Sequence, residues 1–226
     1  MHSWLNYLER KLYRFRIPPL MKYIVFAMGG VFVLDFLLAM TTAYSSRLNL
    51  IDYLSLNIGL VMKGQVWRLV TWLFVPQQGN LLWELISLYF YYMIGTALEN
   101  RWGSRRFLIY YVIGALANVL GAFIVYLIKG YAYGVNTYLY YSLFIAFAAL
   151  YPDMQFMLFF FLPIKAVWLA GLDLLYFLMA IITGTASLRM AAFMSLVNII
   201  LFFGEDIYHT LRRLYFQWQR RRQFRS

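Results

Sequence analysis

Few side chains in this sequence could make or break a covalent bond, and the question is which of them the fold could bring together. Cysteine is absent, so thiolate catalysis, disulfides and thiolate-bound metals are excluded. The two histidines, His2 and His209, lie near opposite ends of the chain, outside every long apolar run. A hydroxyl attacks a peptide only when a base takes its proton. Thr137, at the start of an apolar stretch, has no imidazole within the apolar part of the chain. A threonine there also reads as a helix cap or a backbone-bonding hydroxyl. Asp35 and Asp173 stand inside apolar runs. Two such carboxylates could activate water, provided they come close enough to share a proton. Intramembrane carboxylates are expensive to keep, so both are candidate contacts for a partner helix or an ion, together with Glu84, Asn118 and Asn198. The aspartates are expected to bond to Asn118, Asn198 or backbone carbonyls. Glu84, at the outer start of an apolar run, is expected to reach water and to favour the helix dipole.

The elements that must position these groups are set by the solvent. Of the 226 residues, 63% are hydrophobic and 13% charged, too little polar surface for a soluble domain of this size. The bilayer is the natural medium. The net charge of +11 lies beside apolar segments, which argues against nucleic acid and for anionic lipid head groups as the counterpart. Six apolar segments approach the ~20 residues that cross the hydrocarbon: about 20–42, 80–99, 106–128, 137–152, 166–183 and 188–204. The expected fold is therefore an all-α polytopic bundle. Its fourth span is short and should be buried among its neighbours.

Three parts follow. Residues 1–19 form an amphipathic prelude, with Trp4, Leu8, Leu12 and Phe15 at helical spacing and Arg10, Lys11 and Arg14 on another face; Pro18 and Pro19 end it. Residues 20–204 hold the membrane domain. Residues 205–226 form a basic amphipathic tail, with Ile207, Leu211, Leu214 and Trp218 in one stripe, suited to the bilayer surface or to a protein partner. Between the first two spans, Ala43 to Gly79 is too interrupted to cross and should lie as small interfacial helices. Met154 to Pro163 is apolar, aromatic and stopped by a proline, so its backbone must be buried in protein or face water. With the prelude inside, fifteen of the twenty basic residues fall on the cytoplasmic side, which puts both termini there.

One stretch ties these elements together. Gly64-Gln65-Val66-Trp67-Arg68 precedes the second span, and that span and its exit carry Gly95, Leu98, Glu99, Gly103 and Ser104. This set resembles the rhomboid superfamily of intramembrane serine proteases and their inactive relatives, derlins among them. The resemblance covers roughly residues 55 to 205 and implies a six-helix bundle with a long interfacial loop between the first and second spans. Trp67, Arg68, Gly95, Glu99, Gly103 and Ser104 would be architectural. It also implies where chemistry should sit: a Gly-x-Ser-Gly serine on the fourth span, a histidine on the sixth, a histidine and an asparagine on the second. Those positions here carry Thr137 followed by Tyr138, Ala192, Trp83 and Ser87. The aromatic bulk of Tyr138 and Trp83 implies a filled or reshaped cavity.

The expected protein is thus not an enzyme and needs no cofactor or metal. It would be a pseudoprotease that recognises transmembrane segments of client proteins without cleaving them, in a bacterial cytoplasmic membrane as its compact length suggests. Two alternatives stay open. It could be an active protease with atypical residues, whether rhomboid or aspartyl; Gly171-Leu172-Asp173 is faintly similar to the Gly-x-Gly-Asp of intramembrane aspartyl proteases but lacks the second glycine. It could also be a small transporter or channel using Asp35 and Asp173.

Overall fold

The computed structural model describes residues 7, 9–14, 17–41, 50–76, 81–158 and 162–223, with side chains to residue 204 in the last helix. Helix α1 spans Leu20–Thr41 and begins directly after the two prolines. The interfacial loop folds into three short helices, α2 (Leu50–Leu54), α3 (Ile58–Val61) and α4 (Arg68–Thr71), the last running into a 3-10 turn at Trp72–Phe74. Helices α5 (Leu81–Trp102) and α6 (Ser104–Lys129) are joined at Gly103, whose φ of 82° favours glycine. Helix α7 covers Thr137–Leu150, α8 Ala166–Thr183 and α9 Ala186–Gln223.

Five of these helices are long and apolar enough to cross a membrane: α1, α5, α6, α8 and the Ala186–Gly204 part of α9. Helix α7, at 14 residues, is the shorter apolar one. At 1.5 Å per residue it is about 21 Å long, less than the ~30 Å of hydrocarbon. It can be short because it is enclosed, with α5, α8 and α9 packed around it. Small residues permit the close approaches. A side chain at Gly114 would collide with Asn198 and Leu139, and one at Gly95 with Met21.

The all-α polytopic architecture holds, with one small exception and one run-on between its parts. Gln155–Leu158 (β1) and Leu162–Lys165 (β2) pair as an antiparallel hairpin, with Met157 opposite Pro163. The hairpin satisfies main-chain groups that an irregular apolar connection would leave unpaired, and as a two-stranded ribbon it has an edge that tolerates proline. Helix α9 also runs on past residue 204 to Gln223, so the last span and the tail are one continuous helix. The tail's apolar stripe at Ile207, Leu211, Leu214 and Trp218 lies outside the described side chains, as do Trp4, Leu8 and Phe15 of the prelude. The described part of the prelude packs onto the bundle. Leu12 rests against the main core, and Arg106 donates to Glu9 at 2.6 Å.

Candidate functional site

The site is framed by three polar anchors, each gripping backbone. On α5, Gly95 admits Met21 of α1, and one turn later Glu99 reaches the same helix. Its Oε1 accepts the Leu20 N–H at 2.7 Å and its Oε2 the Met21 N–H at 3.0 Å. Neither preceding proline offers an N–H, and the first amides of a helix have no acceptor within it. A carboxylate is the natural cap, because it also meets the positive end of the helix dipole. The second anchor is Arg68, buried within the loop. It donates to the carbonyls of Asp52 (2.6 Å) and Ser55 (2.7 Å) and to Gln65 Oε1 (2.7 Å), and lies 5.6 Å from the Tyr53 ring centroid. Trp67 stacks on that ring from a partly exposed position.

The third anchor is Asn136, just before α7. Its Nδ2 faces the Val75 carbonyl (2.7 Å), the Tyr140 hydroxyl (2.8 Å) and, more distantly, the Trp72 carbonyl (3.2 Å). Tyr140 in turn donates to the Leu73 carbonyl at 3.3 Å. The end of the interfacial loop is thereby fastened over the start of α7. Sequence reasoning missed Asn136; an amide immediately before an apolar helix was the available signal.

Below this fastening lies a cavity of about 330 Å³ between α5 and α8. Helix α5 packs on α1, α6 and α7, and α8 on α7, α9 and the hairpin, which leaves the space between them. Leu88, Tyr91, Tyr140 and Tyr141 form much of its apolar wall, and Phe156 of the hairpin closes one end against Phe90 and Phe144, with ring centroids 5.8 Å away in both cases. Three polar side chains reach the cavity: Glu84, Ser87 and Asp173. No basic residue lines it among the described residues. Ser87 donates to the Trp83 and Glu84 carbonyls at 2.9 and 3.0 Å.

Several expected placements change. Glu84 does not reach water: it is 2% exposed, because it sits on the face of α5 turned toward α7. Trp83, one residue earlier, is 62% exposed and fills no cavity. Tyr138 does fill space, buried in an aromatic seam with Phe177 (5.3 Å) and Tyr176 (6.0 Å) of α8. Ala192, the position where the resemblance implies a histidine, is fully buried in that seam with Ala180 and Ala191. Thr137 is the first residue of α7, half-buried. Asn118 and Asn198 do not serve the aspartates. Asn118 donates to the Gly114 carbonyl (2.9 Å) and Ser195 Oγ (3.2 Å), and Asn198 to the Tyr110 carbonyl (3.4 Å), tying α6 to α9. Asp173 lines the cavity and Asp35 does not. Gly103 and Ser104 form the α5–α6 turn, with the Gly103 N–H donating to the Glu99 carbonyl at 2.7 Å.

The family model described as "Eukaryotic integral membrane protein (DUF1751)" matches residues 25–204. No curated protein matches the chain. The family is described as eukaryotic, so the expectation of a bacterial source and a bacterial cytoplasmic membrane finds no support in it. The match spans most of the chain and reaches all six apolar helices, so the chain belongs to this family of integral membrane proteins.

Proposed function

We propose that this member of a eukaryotic integral membrane family is a rhomboid-like pseudoprotease, which recognises transmembrane segments of other proteins and does not cleave them. One observation carries the reading: the cavity between α5 and α8 combines an apolar, aromatic wall with a few polar groups, and it is bordered by lipid-facing side chains. Phe90 of α5 and Met157 of the hairpin line it and are themselves exposed. A helix arriving from the bilayer would meet apolar surface first and then Ser87 and Asp173. The absence of cleavage follows from the residues at the positions the resemblance assigns to chemistry. Thr137 has no imidazole partner among the spans, and Ala192 is enclosed by Tyr138 and Phe177. A nucleophile needs its base within hydrogen-bond reach.

The test is site-specific photo-crosslinking in membranes. A crosslinker at Phe90 or Leu172 should capture discrete membrane proteins at their intact mass, and one at Leu127, exposed on α6 and outside the cavity, should not. Equal capture from all three positions, or recovery of cleaved fragments, would refute the proposal. A second reading, passage of an ion or small solute, draws on Glu84 and Asp173 lining one cavity. It requires liposome flux that Asp173→Asn removes.

A further inference from the structure

At the other end of α5, the described prelude, Trp102 and the first residues of α6 enclose a second recess, of about 700 Å³. We propose that this recess binds the phosphate group of an anionic phospholipid headgroup. Three guanidinium-bearing residues line it, Arg10, Arg105 and Arg106, against one acid, Glu9. Arg106 is partly neutralised, since its Nε donates to Glu9 Oε1 at 2.6 Å. Arg105 is not: its Nε is buried yet makes no hydrogen bond among the described residues. Its guanidinium is held 4.7 Å from the Tyr13 ring centroid, so the ring orients the group without supplying an acceptor. A buried donor without an acceptor is costly, and a phosphate oxygen would satisfy it.

The backbone adds to this. The positive φ of Gly103 starts α6 abruptly, with no side-chain cap on this 26-residue helix. The uncapped start of α6, Gly103 to Arg106, lines the recess and brings the positive end of the helix dipole to it. Guanidinium forks and helix-start amides are the donor set that phosphate oxygens fit. Position argues for a lipid over a free ion. The recess lies where two candidate spans end, at the level of headgroups, and it is flanked by Trp102 and Ile17, side chains suited to the interface beside an acyl chain.

Native mass spectrometry of the purified full chain in detergent tests this, with phosphatidic acid, phosphatidylserine, phosphatidylcholine and inorganic phosphate titrated separately. Both anionic lipids should bind in preference to phosphatidylcholine, and millimolar inorganic phosphate should not displace them. Arg105→Gln should weaken binding about tenfold or more. Glu9→Gln, which releases Arg106, should tighten it, a gain that misfolding cannot produce. Arg101→Gln removes an equal charge from an exposed position outside the recess and should change binding less than about twofold. The proposal fails if Arg101→Gln weakens binding as much as Arg105→Gln, since attraction would then be diffuse. It also fails if Glu9→Gln leaves binding unchanged, if phosphatidylcholine binds equally well, or if inorganic phosphate displaces the lipid and marks a soluble-anion site.

Discussion

Replacing Glu99 tests whether one buried carboxylate fixes the first span to the second. The group is 4% exposed and accepts two backbone amides, at 2.7 and 3.0 Å. Hydrogen bonds to a charged group are worth about 1.5–3 kcal/mol each, and an acid at a helix start up to about 2 kcal/mol, two descriptions that overlap and do not add. Glu99→Gln keeps one carbonyl acceptor and turns an NH2 toward the other amide, so it loses one bond and the charge, about 2–3 kcal/mol. Glu99→Ala strands both amides and should cost about 3–5 kcal/mol. At about 2–4 °C per kcal/mol for a chain of this size, the glutamine variant should unfold about 4–12 °C lower in detergent. Tryptophan fluorescence on heating reads that midpoint. Hydrogen exchange reads the cause: the Leu20 and Met21 amides should exchange about 30-fold faster or more, while amides in the middle of α6 hold. An unchanged midpoint together with unchanged exchange at those two amides would refute the assignment. So would an alanine variant no worse than the glutamine one.

Arg68→Lys keeps the charge but cannot span the carbonyls of Asp52 and Ser55 while holding Gln65, and should cost about 2 kcal/mol; faster limited proteolysis between residues 50 and 76 checks it. Asn136→Ala unfastens the loop from α7 and strands the Val75 carbonyl, with a stability loss of about 1–3 kcal/mol measurable on heating. Ser87→Phe fills the cavity and should abolish crosslinking from Leu172 while leaving the thermal midpoint within about 2 °C, because Ser87 is half-exposed on the cavity wall. On the proposed reading Thr137→Ala should leave crosslinking intact, and incubation with membrane substrates should yield no fragments before or after the change; any turnover lost with this change would overturn the pseudoprotease reading.

The sequence marked two of the three anchors, Arg68 and Glu99, but none of the partners, and the reason is physical. Glu99 binds the amides of Leu20 and Met21, Arg68 the carbonyls of Asp52 and Ser55, and Asn136 the carbonyl of Val75. Backbone groups are the same at every residue, so no side-chain pattern advertises them. The faces of α5 were legible and were misread. Counting back from Glu99 gives a position along the helix, but at 100° per residue the sixteen steps to Trp83 bring it to nearly the opposite side, whereas Glu84, Leu88, Tyr91, Gly95 and Leu98 follow one another three or four apart. All five are buried, with Ile94 and Glu99 beside them. The spacing that makes Glu84 interior was therefore present all along. The hairpin was not legible in the same way, since a short apolar run with aromatic residues suits a strand and a buried helix equally.

The distribution of packing decides which part of this bundle can respond to a partner. The anchors join α1 to α5 and the loop to α7, while Asn118, Ser195 and Asn198 join α6 to α9. Helix α8 is tied more loosely: at its end the exposed Arg189 of α9 donates to the Ile182 carbonyl at 2.9 Å, in reach of solvent and not buried like the other ties. Its inner face meets α7 and α9 through the seam around Tyr138 and Phe177, and much of its outer face is exposed, Leu172 at 61%. Ring-on-ring contacts give way by small slides, whereas a buried polar group pulled from its partner must be left unpaired, at a cost of about 1–3 kcal/mol. Widening the gap between α5 and α8 therefore disturbs the seam and the Phe156 plug but none of the anchors. The aromatic seam around Tyr138 and Phe177 lies on the compliant side of that gap, and the buried polar ties lie on the rigid side. A visiting helix would thus be received by movement of α8 against a fixed α5, with Ser87 on the wall that stays and Asp173 on the wall that moves.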